Sequence, residues 1–189
     1  MASSTRTAAL AIPREQRIAL IGVVGFAAAV AAASQLAMPI PGTAVPLTLQ
    51  PMLVVLAGLW LGPRRGAASM FLFLAAGAAG LPVFAPIAGL PHGVMRFLGP
   101  TGGYLWMYPV AAFVAGALGA RATTWYERVL AAAAGILTLF VGGVAQLAVM
   151  SGDLFTAIQL GFLPFVAVDA AKAILAGLLA PRRNARTRE

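Results

Sequence analysis

Asp169 and Lys172 stand three residues apart in the segment "PFVAVDAAKAILAGLLAPRR", residues 164–183, which is otherwise apolar until its closing arginines. Residues at i and i+3 share a face of a helix, so the carboxylate and the ammonium can meet. At bilayer depth a charge costs at least about 2.5–3.5 kcal/mol on insertion scales. Pairing lowers that cost, but two leucines would insert more easily. Two readings therefore stand side by side: a purely structural ion pair, and a polar site where the carboxylate accepts N–H bonds and the ammonium donates to a carbonyl or carboxylate.

Other polar residues fall at matching heights. Gln50 begins a second apolar segment, Tyr104 begins a fourth, and Gln146 lies near the end of a fifth. Each alone is an ordinary interhelical hydrogen-bonding residue. Together with Arg96 they converge on the outer half of the segment that carries Asp169, which points to a pocket open to the outside. The Pro/Gly-rich stretch "FAPIAGLPHGVMRFLGPTGG" before Tyr104 is long for a connector, and long ordered loops often act as lids. His92 lies on it and reads as an ordinary loop residue.

Several chemistries are excluded or unsupported. A Walker A loop needs Gly-Lys-Ser/Thr, and the single lysine, Lys172, follows Ala171. The chain therefore has no ATPase of its own. There is no Gly-x-Ser-x-Gly, no His-Glu-x-x-His and no paired acidic motif, and Ser69 and Ser151 have no histidine near them in sequence. Cysteine is absent and His92 is the one histidine, so neither a disulfide framework nor a His or thiolate metal site is expected, and no cofactor is called for.

The elements that must position these residues follow from composition. Of 189 residues, 61% are hydrophobic and 10% charged, and the mean hydropathy is +0.91. Soluble domains rarely exceed about half apolar. A chain of this kind cannot clothe its core in polar surface, so lipid is its expected solvent and an all-α membrane protein its expected class. Spans are expected at about Ile18–Met38, Pro46–Leu61, Gly66–Val83, Tyr104–Ala120, Val129–Met150 and Ile158–Ala180. The second is short enough that part of it is expected to tilt or to start as irregular chain. This divides the chain into an N-terminal tail (1–17), a six-helix membrane domain (18–180) and a basic C-terminal tail (181–189). The run after Arg17 is too long for the apolar core of a signal peptide and lacks a cleavage pattern.

Six spans place both termini on one side. Arg6, Arg14, Arg17, Arg64, Arg65, Arg121, Arg128, Arg182, Arg183, Arg186 and Arg188 all fall on that side, and Arg96 alone falls on the other. The asymmetry makes the arginine-rich side cytoplasmic, in a cell (inner) membrane, and explains the net charge of +8 without nucleic acid. Trp125 and Tyr126 then sit at the inner interface. The first span contains "FAAAVAAA", where Ala27/Ala31, Ala28/Ala32 and Ala29/Ala33 form small-xxx-small pairs. Such pairs permit close helix approach, either within the bundle or to a separate membrane protein.

These residues resemble a known family. "VPLTLQ" at 45–50, "LGPRRGA" at 61–67, "AAGLPVF" at 78–84, "GPTGGYL" at 99–105 and "DAAK" at 169–172 are similar, in this order, to the pattern of BioY proteins. Those are the biotin-specific substrate-binding (S) components of energy-coupling factor transporters. The resemblance spans about residues 17–180. It implies a six-helix bundle holding biotin near its outer side, with a transmembrane coupling protein (T component) and cytoplasmic ABC-type ATPases as partners. It also implies that the alanine face (Ala27, Ala28, Ala31, Ala32) meets the coupling protein. The loop "APIAGLPHGVMRF" departs from the family's run of small Gly/Ser/Asn residues.

Biotin offers ureido N–H donors, a carbonyl, an apolar thioether ring and a carboxylate. In one pose the ureido group meets Asp169 and the carboxylate is offset by Arg96. In the other the carboxylate meets Lys172 and the ureido ring lies near Arg96. Phe84 and Tyr104 would cover the apolar body, with Gln50 and Gln146 as further polar contacts. Rival readings are a solitary oligomeric biotin carrier, an S component for another small vitamin, and an intramembrane enzyme.

Overall fold

The computed structural model describes residues 13–87, 89 and 93–182. His92, Arg6, Arg183, Arg186 and Arg188 lie outside the described residues, as does most of each expected tail. Seven α-helices are present among the described residues: α1 (Arg14–Ser34), α2 (Gln50–Leu61), α3 (Pro63–Ala78), α4 (Gly102–Gly119), α5 (Trp125–Ser151), α6 (Leu154–Gly161) and α7 (Val166–Leu179). A 3-10 turn, Val94–Phe97, precedes α4. No strand is found among the described residues, only an isolated antiparallel bridge between Met38 and Leu47.

α1 and α5 are long and apolar enough to cross a membrane, and α6 with α7 passes the same test as a bent pair. Several helix boundaries differ from those expected, for local reasons. α1 stops at Ser34 rather than Met38, and the backbone of Met38 pairs instead with Leu47 in the loop that follows. α2 starts at Gln50, not Pro46, and its 12 residues rise only about 18 Å. α3 begins at Pro63 and ends at Ala78, which leaves Val83 and Phe84 in a loop. The expected sixth helix is broken. Pro164 has no N–H to give and disfavours helix at the residue before it. α6 accordingly ends at Gly161, α7 starts anew at Val166, and the two axes meet at 55°.

α2 is the central stave. It touches α1, α3, α4, α5 and α7. Val54 and Ala57 face a cluster that includes Val30, Met70, Phe73, Ala111 and Ala112. Val55, Leu56 and Leu59 face a second cluster with Ala132, Ile136, Phe140, Ala173 and Ala176. The turn from α2 to α3 is made by "LGPRRGA". Gly62 has φ +85°, a backbone that L side chains rarely adopt, and it serves as both the end of α2 and the start of α3. Pro63 follows at the first helical position, where its missing N–H costs nothing.

Beyond that turn three backbones meet. A Cβ on Gly58 would lie 2.0 Å from the Ala112 oxygen, and one on Gly116 would lie 2.8 Å from the Gly58 oxygen. A Cβ on Gly66 would lie 2.7 Å from the Gly58 Cα. Each obstacle is main chain, so no side chain can swing aside. At the far end of α7, Arg128 is buried and donates from Nε to the Gly177 carbonyl at 3.1 Å, while Trp60 Nε1 donates to the Leu179 carbonyl at 3.2 Å. Both fill the acceptor needs of a helix C-terminus.

The backbone crossing predicts a sign reversal. Gly→Ala in a helix normally stabilises by roughly 1 kcal/mol. Gly25→Ala, on α1 with nothing within 4 Å of the new methyl, should be neutral or stabilising. Gly58→Ala should cost about 1–3 kcal/mol through overpacking. Unfolding of both variants in the same detergent, followed by thermal melting, checks the contrast.

Candidate functional site

The structure brings Gln50, Phe84, Arg96, Tyr104, Asp169 and Lys172 onto the wall of one cavity. The space free of protein atoms there, with the open solvent at its mouth, is about 640 Å³. Five elements converge there. Asp169 lies in the first turn of α7 and Lys172 one turn further on, so the break after α6 sets a fresh helix N-terminus, which favours negative charge, at the carboxylate. Lys172 Nζ and Asp169 Oδ1 are 2.5 Å apart, and both side chains are buried. This is the one ion pair among the described residues.

Arg96 comes from the 3-10 turn. It is 2% exposed and donates from one terminal nitrogen to the Ala85 carbonyl. Burial lowers its pKa from the ordinary arginine value, the direction expected when a cation loses its water. Among the described residues its Nε has no hydrogen-bond partner. Gln50 starts α2, and the Thr48 hydroxyl lies 3.3 Å from its Oε1, but its Nε2 is also unpartnered. The third buried unpartnered side-chain atom among the described residues is Thr101 Oγ1. All three residues line this cavity. Buried polar atoms are seldom left unpaired. Two N–H donors and a hydroxyl, beside an uncompensated guanidinium, suit a ligand that carries acceptor oxygens and negative charge.

The apolar walls are seated by glycines. The Tyr104 ring lies where a Cβ on Gly143 would be, within 2.1 Å, and its hydroxyl donates to the Gly161 carbonyl at 2.6 Å. The Phe84 ring takes the corresponding place above Gly77, at 2.0 Å. Phe84 packs edge-on to both Phe73 (centroids 5.4 Å) and Phe97 (5.6 Å). Such contacts fix the ring plane as well as its depth.

Gln146 is not on the cavity wall. Its Nε2 donates to the carbonyls of Phe97 (3.0 Å) and Gly99 (2.6 Å), so it ties the loop behind Arg96 to α5. The alanine face also divides. Ala27 is buried and Ala31 packs on the core, whereas Ala28 and Ala32 are exposed. Adjacent helical residues point about 100° apart, so one face cannot hold all four. Trp125 and Tyr126 are exposed at the start of α5.

Sequence reasoning missed several wall residues. Tyr108 lies one turn after Tyr104, a spacing that could have flagged it. Phe165 lies one turn before Asp169 in the same way. Val45, Pro46 and Thr101 reach the cavity from loops, and no periodic signal marks them.

The family model described as "BioY family" matches residues 6–189. The chain is 42% identical over 143 residues to "Probable biotin transporter BioY" of Pyrococcus horikoshii, covering 76% of this chain and 83% of that one. It is 37% identical over 143 residues to "Biotin transporter BioY" of Thermotoga maritima, with the same coverage. Its fold is similar to the crystal structure of the S-component for biotin from an ECF-type ABC transporter, with TM-score 0.80 and 28% identity, over 90% of this chain and 93% of that one. The chain belongs to the BioY family.

Proposed function

We propose that this protein is the substrate-capture S component of a biotin uptake transporter. It is a transport component and not an enzyme. The observation that carries the reading is the cavity itself: its three unpartnered buried polar atoms and its unpaired guanidinium suit the carboxylate and carbonyl oxygens of biotin. The relatives named above are biotin transporters, and the similar crystal structure is an S-component for biotin. In this reading Asp169 and Lys172 bind polar ends of the ligand, Arg96 offsets its carboxylate, and Phe84 and Tyr104 cover its thioether ring. Gln50 adds a donor, while Gln146 acts indirectly by holding the loop that bears Arg96.

The same reading takes α1, α2, α3, α4, α5 and the α6–α7 pair as six passages through the cell membrane. Both termini are cytoplasmic, and the cavity opens outward. Energy comes from partners, a transmembrane coupling protein and cytoplasmic ATPases of the ABC type, since this chain has no nucleotide motif. The exposed Ala28 and Ala32 of α1 form the side that meets the coupling protein. Ala27 and Ala31 are reassigned to packing within the bundle.

Three measurements test this. Purified chain should carry biotin, identified by mass spectrometry of the released ligand. Asp169→Asn and Lys172→Met should each lower both binding and stability, because a lone buried charge costs about 3–5 kcal/mol in soluble proteins. The double variant should recover stability and still fail to bind. Near-normal biotin affinity in a well-folded double variant would reduce the pair to a structural role.

Single cysteines at Ala2, Thr187 and Gly93, in this cysteine-free chain, should report the topology. An impermeant thiol reagent on intact cells should label the Gly93→Cys variant and spare the two termini. The reverse pattern would overturn the orientation.

Trp substitutions should separate the two alanine sides. Ala28→Trp should weaken assembly with the coupling protein by about tenfold or more and leave biotin affinity within about twofold, since it adds bulk only outside the bundle. Ala27→Trp should instead lower the melting temperature of the isolated chain.

A further inference from the structure

The C-terminal end of α1 is tied to the cavity wall. Ser34 is fully buried. Its hydroxyl has one proton and two carbonyls within reach, Ala31 in its own helix at 2.6 Å and Val83 across the fold at 2.5 Å. Gln35 completes a clasp. Its Nε2 donates to the Ser34 hydroxyl at 2.8 Å and to the Pro82 carbonyl at 3.0 Å. The clasp therefore grips two consecutive main-chain carbonyls of a segment that belongs to no helix.

What that segment carries gives the clasp its meaning. The next residue, Phe84, lines the cavity, and the one after, Ala85, offers the carbonyl that receives the Arg96 guanidinium. Within 82–85, then, two carbonyls are held by α1, one ring faces the cavity, and one carbonyl orients the cavity's unpaired cation. Pro82 has no N–H, and the N–H of Val83 is turned back onto Leu81 at 2.7 Å. Neither residue contributes to a helix ladder, so the clasp bonds are a main source of register for this stretch.

We propose that Ser34 and Gln35 are positioning residues for the substrate. By fixing the Pro82 and Val83 carbonyls they set the depth of Phe84 and the aim of Arg96. Neither side chain is among those lining the cavity, so they act through the 82–85 segment. The inference rests on the biotin-capture reading of the cavity. It adds that affinity is controlled from the end of α1, the helix whose exposed Ala28 and Ala32 are assigned above to the coupling protein.

The test uses the full chain in detergent, with a nitroxide on a single cysteine introduced by Leu81→Cys, an exposed position beside the segment. Ser34→Ala/Gln35→Ala should raise the mobile fraction of the spectrum with no biotin present. The same double variant, unlabelled, should release biotin about tenfold faster, as expected for two hydrogen bonds of ordinary net strength. In a Phe84→Leu background the clasp variant should cost distinctly less affinity than in the wild-type background, because one of the two elements it positions is already altered and only the effect through Arg96 remains. A purely structural clasp predicts otherwise: equal losses in both backgrounds, in step with a lower melting temperature of the ligand-free protein. That pattern, or unchanged affinity in the well-folded clasp variant, would overturn the proposal. If the wild-type chain fails to bind biotin, the transport reading fails instead. The spin-label arm, which contains no biotin, then decides on the clasp by itself: an unchanged spectrum overturns it.

Discussion

Charge without water must be compensated, and much of this molecule follows from meeting that requirement around Asp169, Lys172 and Arg96. The first two compensate each other at 2.5 Å. The third has a carbonyl but no carboxylate. An ion pair in a low-dielectric interior barely offsets its desolvation, so the pair depends on favourable surroundings. The new helix start at Val166 supplies one of these, because Asp169 lies in the first turn, where the helix dipole favours negative charge. The break after Gly161 is thus part of the site, although it shortens a membrane passage into two pieces.

Rigid and adjustable parts of the structure are held by different forces. At Gly58, Gly66 and Gly116 main chain touches main chain. Such contacts have no rotamers, and they make α2, α3 and α4 a fixed frame. The loops around the cavity are instead tied by side chains reaching carbonyls: Gln146 to Phe97 and Gly99, Arg96 to Ala85, Ser34 to Val83, and Gln35 to Pro82. These ties are individually modest and individually replaceable by water or ligand. Phe84 and Arg96 thus reach the cavity from the more yielding of the two layers, while Gln50 and Tyr104 reach it from the frame.

The sequence was legible where the signal is local. Asp169 and Lys172 share a face because three residues nearly close a helical turn, and they do meet. Gln50 and Tyr104 were readable because each lies in the first turn of a helix. The rest depended on long-range contact. Gln146 had the right depth but faces a loop whose carbonyls no sequence pattern announces. The alanine run on α1 was legible as a close-packing helix, but six small residues wrap the cylinder, and composition alone cannot say which of them face inward. Pro164 lies inside the expected sixth span, and its missing N–H breaks a helix that the apolar run on either side would otherwise continue. Tyr108 and Thr101 joined the cavity through tertiary placement.

The charge count of the cavity has an electrical side. Its wall carries one anion, Asp169, against two cations, Lys172 and Arg96. By formal charge the wall holds one net positive charge, which a single carboxylate would neutralise. A membrane voltage does about 2.3 kcal/mol of work per elementary charge per 100 mV when the whole field is crossed. A site of that charge would feel such a field when vacant and not when a monoanion fills it.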